Sequence, residues 1–224
     1  MEPDFWRERW AQGQTGWHES APNASLVAHV EMLELGPEKR VLVPLSGKTT
    51  DLSFLEKSGA EVIGSELVEV AAQQFFDEHG LVAVRSTPKE GLVSLRAGRI
   101  EILVGDFFAL TASDVGPIDA IYDRAALVAL PPDLRVRYAA QLGALSPHAR
   151  MLTVTFVHDA PGGGPPFSVD RDELARLYPT AEIEALGERD LFHQGGGLAA
   201  RGATRILELS HAVRRSIERA PPGR

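Results

Sequence analysis

The stretch Val41-Leu-Val-Pro-Leu-Ser-Gly-Lys-Thr-Thr-Asp-Leu52 decides the fold, and two readings compete for it. Ser46-Gly47-Lys48-Thr49 has the lettering of the end of a phosphate-binding loop. That loop needs a glycine five positions before Gly47, where Leu42 stands inside an apolar run. Pro44 also lacks the N–H that a backbone cradle for phosphate would use. The second reading takes Arg40 to Pro44 as a strand buried on both faces of a parallel sheet. Leu45-Ser46-Gly47 is then the turn at its carboxyl end, where Gly47 lets a ligand approach the backbone closely. Asp51 falls near the start of the next helix, where a carboxylate suits the dipole.

Working outward, Asp51–Ser58 reads as a helix, Glu61–Glu66 as a second strand and Val68–His79 as a second helix. Strand–helix alternation at this spacing predicts right-handed βαβ units. Leu92–Leu95 and Arg99–Val104 read as a hairpin feeding a third strand, Ile118–Tyr122 as a fourth and Met151–Val157 as a fifth, with a helix over Asp133–Leu145. Ala160–Phe167 is a Gly/Pro-rich loop, Asp170–Leu177 a short helix, and Ala181–Leu186 and Ala203–Leu209 two further strands joined through Gly195–Gly197. Upstream, Asp4–Gln12 reads as a helix. A second, over Ser25–Leu35, places Leu26, Val27, Val30 and Leu33 on one side and stops at Gly36-Pro37. The expected architecture is α/β, a doubly wound, seven-stranded, mainly parallel sheet. It forms one domain over residues 1–213, with 1–36 as an N-terminal helical cover and 214–224 as a flexible tail.

Composition narrows the function. The 224 residues are 44% hydrophobic and 24% charged, as in a soluble globular protein, with a net charge of −8. Such a surface repels phosphate backbones and anionic bilayers, so neither nucleic acid nor membrane is an expected partner. The absence of cysteine removes disulfides, thiolate metal sites and cysteine nucleophiles. Met1-Glu-Pro-Asp-Phe-Trp6 has no apolar run, so no signal peptide is read there and the chain reads as cytoplasmic. The seven histidines show no metal-ligand spacing, no serine sits in a Gly-x-Ser-x-Gly elbow, and no Gly-x-Gly-x-x-Gly follows the first strand.

Ligands of doubly wound sheets bind beyond the carboxyl ends of the strands, which selects the candidate residues. Glu66, about twenty residues after the glycine turn, can accept both ribose hydroxyls of an adenosine, or is a solvated strand-end charge. Asp106 and Phe107 can hold an adenine, or can cap a turn and fill the core. Arg124 can orient an anionic acceptor as a planar fork, or pair with Asp123. Trp6, Trp10 and Trp17 can form a water-excluding lid, or dock the first helix on the core.

With these residues in place, the sequence resembles the thiopurine S-methyltransferase family from about Phe5 to Leu209. The resemblance is carried by Phe5-Trp-Arg-Glu-Arg-Trp10, Gly16-Trp-His18, Val41 to Lys48 with Asp51, Val62 to Glu66, Gly105 to Phe108, Asp123 to Ala129 and Gly164-Pro-Pro-Phe167, in order and at family spacing. It implies a Rossmann-like methyltransferase fold with an N-terminal helical lid and S-adenosylmethionine as cofactor. It further implies that Trp6, Trp10 and Trp17 enclose that cofactor, that Leu45 and Gly47 line its methionine end, and that Glu66 holds the ribose. Asp106 and Phe107 surround the adenine, Arg124 lies near cofactor and acceptor, and His18, Pro166 and Phe167 belong to the acceptor pocket. The implied reaction is methyl transfer to the sulfur of a small thiol, thione or other soft nucleophile, by a monomer, through proximity and with no catalytic residue or metal assigned. A halide, thiocyanate or selenium-compound methyltransferase and a non-catalytic adenosine-ligand binding protein are the alternatives. Ser46 replaces a cysteine common in the family motif, and His158 stands where relatives often carry an aromatic.

Overall fold

The computed structural model describes residues 3–194 and 196–215. The chain runs α1 (Pro3–Ala11), α2 (Ala24–His29), β1 (Arg40–Val43), α3 (Asp51–Glu56), β2 (Glu61–Glu66), α4 (Glu69–Glu78), β3 (Val84–Lys89), β4 (Leu92–Ala97) and β5 (Ile100–Val104). It continues α5 (Ala112–Val115), β6 (Ala120–Arg124), α6 (Ala126–Ala129), α7 (Pro132–Leu145), β7 (Arg150–His158), α8 (Arg171–Leu177), β8 (Ala181–Asp190), α9 (Gly197–Ala200) and β9 (Ile206–Arg215).

One sheet unites the strands in the order β3-β4-β5-β2-β1-β6-β7-β9-β8. Its centre, β5-β2-β1-β6-β7, is parallel, with Val41 of β1 opposite Val62 on one side and Ala120 on the other. Alternate residues of β1 serve different cores: Leu42 packs with Ile63, Ile121, Tyr138 and Leu142, whereas Val41 and Val43 pack with Val62, Phe75, Phe76 and Leu152. Burial on both faces is why these strands read as continuous apolar runs.

The described sheet has nine strands, not the expected seven. The five parallel strands and the antiparallel β9-β8 pair account for seven, and the β4–β3 extension adds two beyond β5. Every residue of β3 is exposed, so no buried alternation marks it in the sequence. As an edge strand it carries Pro88 and the charged Arg85 and Lys89, features that discourage further pairing.

Three other expectations change. The helix over Ser25–Leu35 breaks: α2 ends at His29, a 3-10 turn covers Val30–Leu33, and Glu34 takes a left-handed φ of 48°. Val27 is 51% exposed and does not share the buried side of Leu26 and Leu33. The Gly195–Gly197 link is no simple hairpin, since a 3-10 turn (Phe192–Gln194) and α9 stand between β8 and β9, while residue 195 lies outside the described residues. Arg214 and Arg215 belong to β9 and not to a tail, and residues 216–224 lie outside the described residues.

Candidate active site

The turn after β1 is built against the end of β2. Leu45 N–H donates to Ser65 Oγ (3.1 Å), Ser46 N–H to the Ser65 carbonyl (2.8 Å) and Gly47 N–H to Glu66 Oε2 (2.8 Å). Three successive donors that a phosphate would need are thereby occupied, and Lys48 pairs with Glu78. This is the structural reason why the phosphate-loop reading fails. The Ser46 hydroxyl lies over Gly64, where an added Cβ would come within 2.9 Å of it.

Leu45 (φ 48°) and Gly47 (φ 55°) are left-handed, as is Ala125 (φ 64°) just after β6. Such conformations cost a non-glycine residue of order 1–3 kcal/mol and cluster at functional sites. Leu45, Gly47 and Ala125 all line a cleft of about 990 Å3. It opens beyond the carboxyl ends of β1, β2, β5 and β6, where strand order reverses about β1.

Glu66 is 7% exposed, so it is not a solvated strand-end charge. Its Oε1 accepts from Val68 N–H (2.9 Å) while Oε2 holds Gly47, and burial raises its pKa although the backbone donors at Val68 and Gly47 oppose that. A carboxylate has about four acceptor positions, so two further donors can be accommodated from the cleft. Trp6, Trp10 and Trp17 line the same cleft and meet edge to face, Trp17 lying 5.5 Å from Trp6 and 6.0 Å from Trp10. They also pack on Val68 and Ala71, so wall and docking surface are one structure. A Cβ on Gly47 would come within 3.3 Å of the Trp10 ring, so the glycine permits this close approach of α1.

Asp106 lines the cleft and also caps the 3-10 turn that follows, accepting from Phe108 N–H (2.9 Å). Phe107 lines it from the core, 4% exposed and 5.2 Å from the Tyr138 ring. Pro165 and Pro166 reach the cleft together with Val128, Ala129, Leu130 and Phe156. Phe167 is not among the lining residues: its N–H donates to the Val128 carbonyl (2.7 Å), and its ring lies beside the Arg135 guanidinium (5.4 Å).

His18 and Arg124 line a recess of about 50 Å3 that adjoins the cleft, bounded also by Trp10, Trp17, Lys48, Asp51 and Tyr122. Arg124 pairs with Glu19 and not with Asp123. Burial, helped by Lys48, lowers the His18 pKa. Asp123 is 1% exposed, and neither of its carboxyl oxygens makes a well-formed hydrogen bond. Burial pushes it up to about 7, with the Tyr138 hydroxyl pulling the other way. The folded chain therefore keeps a proton that an unfolded aspartate releases above about 4. Stability is full below that value and falls as pH rises to about 7. Asp123→Asn is expected to flatten this slope, so that its urea midpoint differs less between about pH 5 and about pH 7.5 than the parent's.

The sequence reading missed a buried network behind the recess. Glu208, 1% exposed, accepts from Asn23 Nδ2 (3.0 Å), Ser25 Oγ (2.8 Å) and Arg189 Nη1 (2.7 Å). Asp51 accepts from Asn23 N–H (2.8 Å) and the Tyr122 hydroxyl (3.0 Å). Two local signals point to it: Asn23 is a helix N-cap, bonding the N–H groups of Ser25 and Leu26, and Glu208 is a lone acid in the apolar run Ile206-Leu-Glu-Leu209.

Known proteins give the constellation its place. A sequence model of the thiopurine S-methyltransferase family matches residues 1–216. The thiopurine S-methyltransferase of Methylococcus capsulatus is 42% identical over 218 residues, covering 96% of this chain and 98% of that relative. That of Azotobacter vinelandii is 42% identical over 219 residues, covering 96% of this chain and 100% of the relative. Among solved structures, an S-adenosylmethionine-dependent methyltransferase from Anabaena variabilis shares the fold (TM-score 0.67, 17% identity, 96% of this chain and 95% of that one). So does a 1,6-didemethyltoxoflavin N1-methyltransferase from Burkholderia thailandensis (TM-score 0.60, 18% identity, 96% of this chain and 87% of that one). A glycine turn, a buried strand-end carboxylate and a tryptophan wall thus stand in a methyltransferase fold, and the chain belongs to the thiopurine S-methyltransferase family of S-adenosylmethionine-dependent enzymes.

Proposed function

We propose that this methyltransferase methylates the sulfur of a small thiol or thione, working as a cytoplasmic monomer in which the chain through β9 acts as one domain and α1 serves as a lid. The observation that carries the reading is the wall around Val128, Ala129, Leu130, Phe156, Pro165 and Pro166, which is apolar throughout. Among the described residues lining the main cleft there is no histidine, lysine, tyrosine or cysteine. Of its carboxylates, Glu66 holds Gly47 and Val68, Glu69 holds Arg85 and Asp106 holds Phe108, which leaves Asp133 as the sole candidate base there. Oxygen and nitrogen acceptors commonly need a proton removed, whereas a thiolate or thione is nucleophilic as it stands.

The residues present fit the cofactor: the buried Glu66 carboxylate suits ribose hydroxyls, the Leu45–Gly47 turn leaves room for a methionine chain, and Asp106 and Phe107 offer an acceptor and a ring edge for adenine. When bound, S-adenosylmethionine supplies an activated methyl carbon on a good leaving group. The protein's part is to hold the acceptor in line and exclude water, with Trp6, Trp10 and Trp17 closing the cofactor side. Pro165 and Pro166 form the acceptor wall, Phe167 supports them from behind, and His18 with Arg124 shapes the inner recess.

Arg124 is held by Glu19 in that recess, so its charge is oriented and not free to wander. Arg124→Ala is expected to lower kcat/KM for thiols on the order of tenfold or more, by disordering the acceptor relative to the methyl group. Unchanged turnover would remove Arg124 from the mechanism. The reading as a whole is tested by offering labelled cofactor with thiopurine, aromatic thiol, halide, thiocyanate and selenium acceptors in parallel. Methylated thiol as the main product is expected. Methyl halide or methyl selenide alone overturns the sulfur assignment, and cofactor binding without any methylated product overturns catalysis.

A further inference from the structure

The segment 160–167 supplies Pro165 and Pro166 to the cleft, yet it has little means of holding itself in place. Pro161, Pro165 and Pro166 have no N–H to enter a backbone ladder, and Gly162-Gly163-Gly164 between them has maximal backbone freedom. Apart from the N–H groups of Ala160 and Phe167 at its two ends, what the segment offers is carbonyl oxygens, and two side chains from outside it take up three of them. Arg201, at the C-terminal end of α9, donates from Nη2 to the Gly163 carbonyl (2.6 Å) and from Nη1 to the Pro165 carbonyl (3.2 Å). His158, the last residue of β7, accepts from Ala160 N–H at Nδ1 (3.2 Å), which leaves Nε2 to donate to the Pro166 carbonyl (3.1 Å). The region around α9 packs behind the same segment, since Leu198, Ala203 and Ile206 form a small core that includes Ala160.

We infer that Arg201, seconded by His158, is a positioning residue that sets the acceptor wall. The inference rests on the proposed transfer to sulfur within the cleft. Arg201 is absent from the cleft lining, so it acts through the carbonyls of Gly163 and Pro165 and not on the acceptor. A planar guanidinium suits this task, because its donors diverge in a fixed fork and can satisfy two carbonyls two residues apart. A lysine ammonium is a strongly hydrated point charge and would hold one of them at best. Nothing in the arrangement touches Glu66 or the Leu45–Gly47 turn, so cofactor binding should be insulated from it.

The test compares Arg201→Ala, Arg201→Lys and the parent by steady-state kinetics with an aromatic thiol, by calorimetry with S-adenosylhomocysteine, and by amide hydrogen exchange. For Arg201→Ala the expected result is an acceptor KM raised about tenfold, with kcat reduced less and S-adenosylhomocysteine affinity within about twofold of the parent. Exchange at Phe167 N–H, which is bonded to the Val128 carbonyl at the end of the segment, should accelerate selectively, and Arg201→Lys should fall between the two. An acceptor KM within about twofold of the parent, or a loss of cofactor affinity as large as the KM change, overturns the assignment. If Arg201→Ala does not fold, Arg201→Gln, which keeps part of the stem and loses the guanidinium fork, is read by the same criteria. A parent enzyme that methylates no thiol sinks the proposed function, while the exchange at Phe167 still decides whether Arg201 holds the segment.

Discussion

Glu66→Ala is expected to weaken S-adenosylhomocysteine binding about 100-fold, the equivalent of about 2.7 kcal/mol. Two hydrogen bonds from ribose hydroxyls to a buried carboxylate are charge-assisted and worth about 1.5–3 kcal/mol each. The same carboxylate fixes the glycine turn through Gly47 N–H (2.8 Å) and opens α4 through Val68 N–H (2.9 Å). Alanine removes both backbone interactions together with the two proposed ribose contacts, and strands two buried donors. Glu66→Gln separates the two roles, because its amide oxygen can keep one backbone donor while its NH2 group faces the other. It should bind more weakly than the parent and unfold earlier than its size alone would suggest. Calorimetry gives the affinity and a thermal melt gives the stability. A dissociation constant within threefold of the parent for Glu66→Ala would place the ribose elsewhere.

Glu208→Ala is expected to cost about 3–5 kcal/mol, the usual effect of removing one partner from a buried charged cluster. Asn23, Ser25 and Arg189 lose their common acceptor at once, and two of these lie on the segment that carries Glu19 toward Arg124. For a chain of this length the loss corresponds to a melting temperature lower by about 10 °C. Because Glu208 does not line the cleft, the kcat of the remaining folded enzyme should fall far less than its stability. Urea unfolding with an unchanged slope would confirm that native stability is what moved. A midpoint equal to the parent's would show that the network contributes little.

What the sequence reveals here depends on how local each signal is. The β1 and β2 strands are legible because burial on both faces leaves an unbroken apolar run, and their site residues follow from position at the strand ends. Gly47 and Glu66 fall into this class, and the structure joins them by a hydrogen bond. The outer β3 is illegible for the opposite reason: it is exposed along its whole length and held by β4 alone, so no pattern of buried residues is imposed on it. Phe167 shows a third limit. A motif places a residue in the chain but does not orient its ring, and here the ring turns toward Arg135 while the preceding prolines face the cleft. Arg124 shows a fourth, since its partner Glu19 lies 105 residues away and adjacency in sequence pointed to Asp123 instead.

The bonds between Glu208 and the pair Asn23 and Ser25 span 185 and 183 residues, nearly the whole chain. During synthesis Asn23 and Ser25 emerge long before their acceptor. Residues 19–25 therefore wait, with the recess around Arg124 unfinished, until β9 has left the ribosome and crossed the sheet to lie between β7 and β8. Competence for catalysis in this sense waits on β9, and a chain cut short before it would carry the glycine turn and Glu66 without the support behind them.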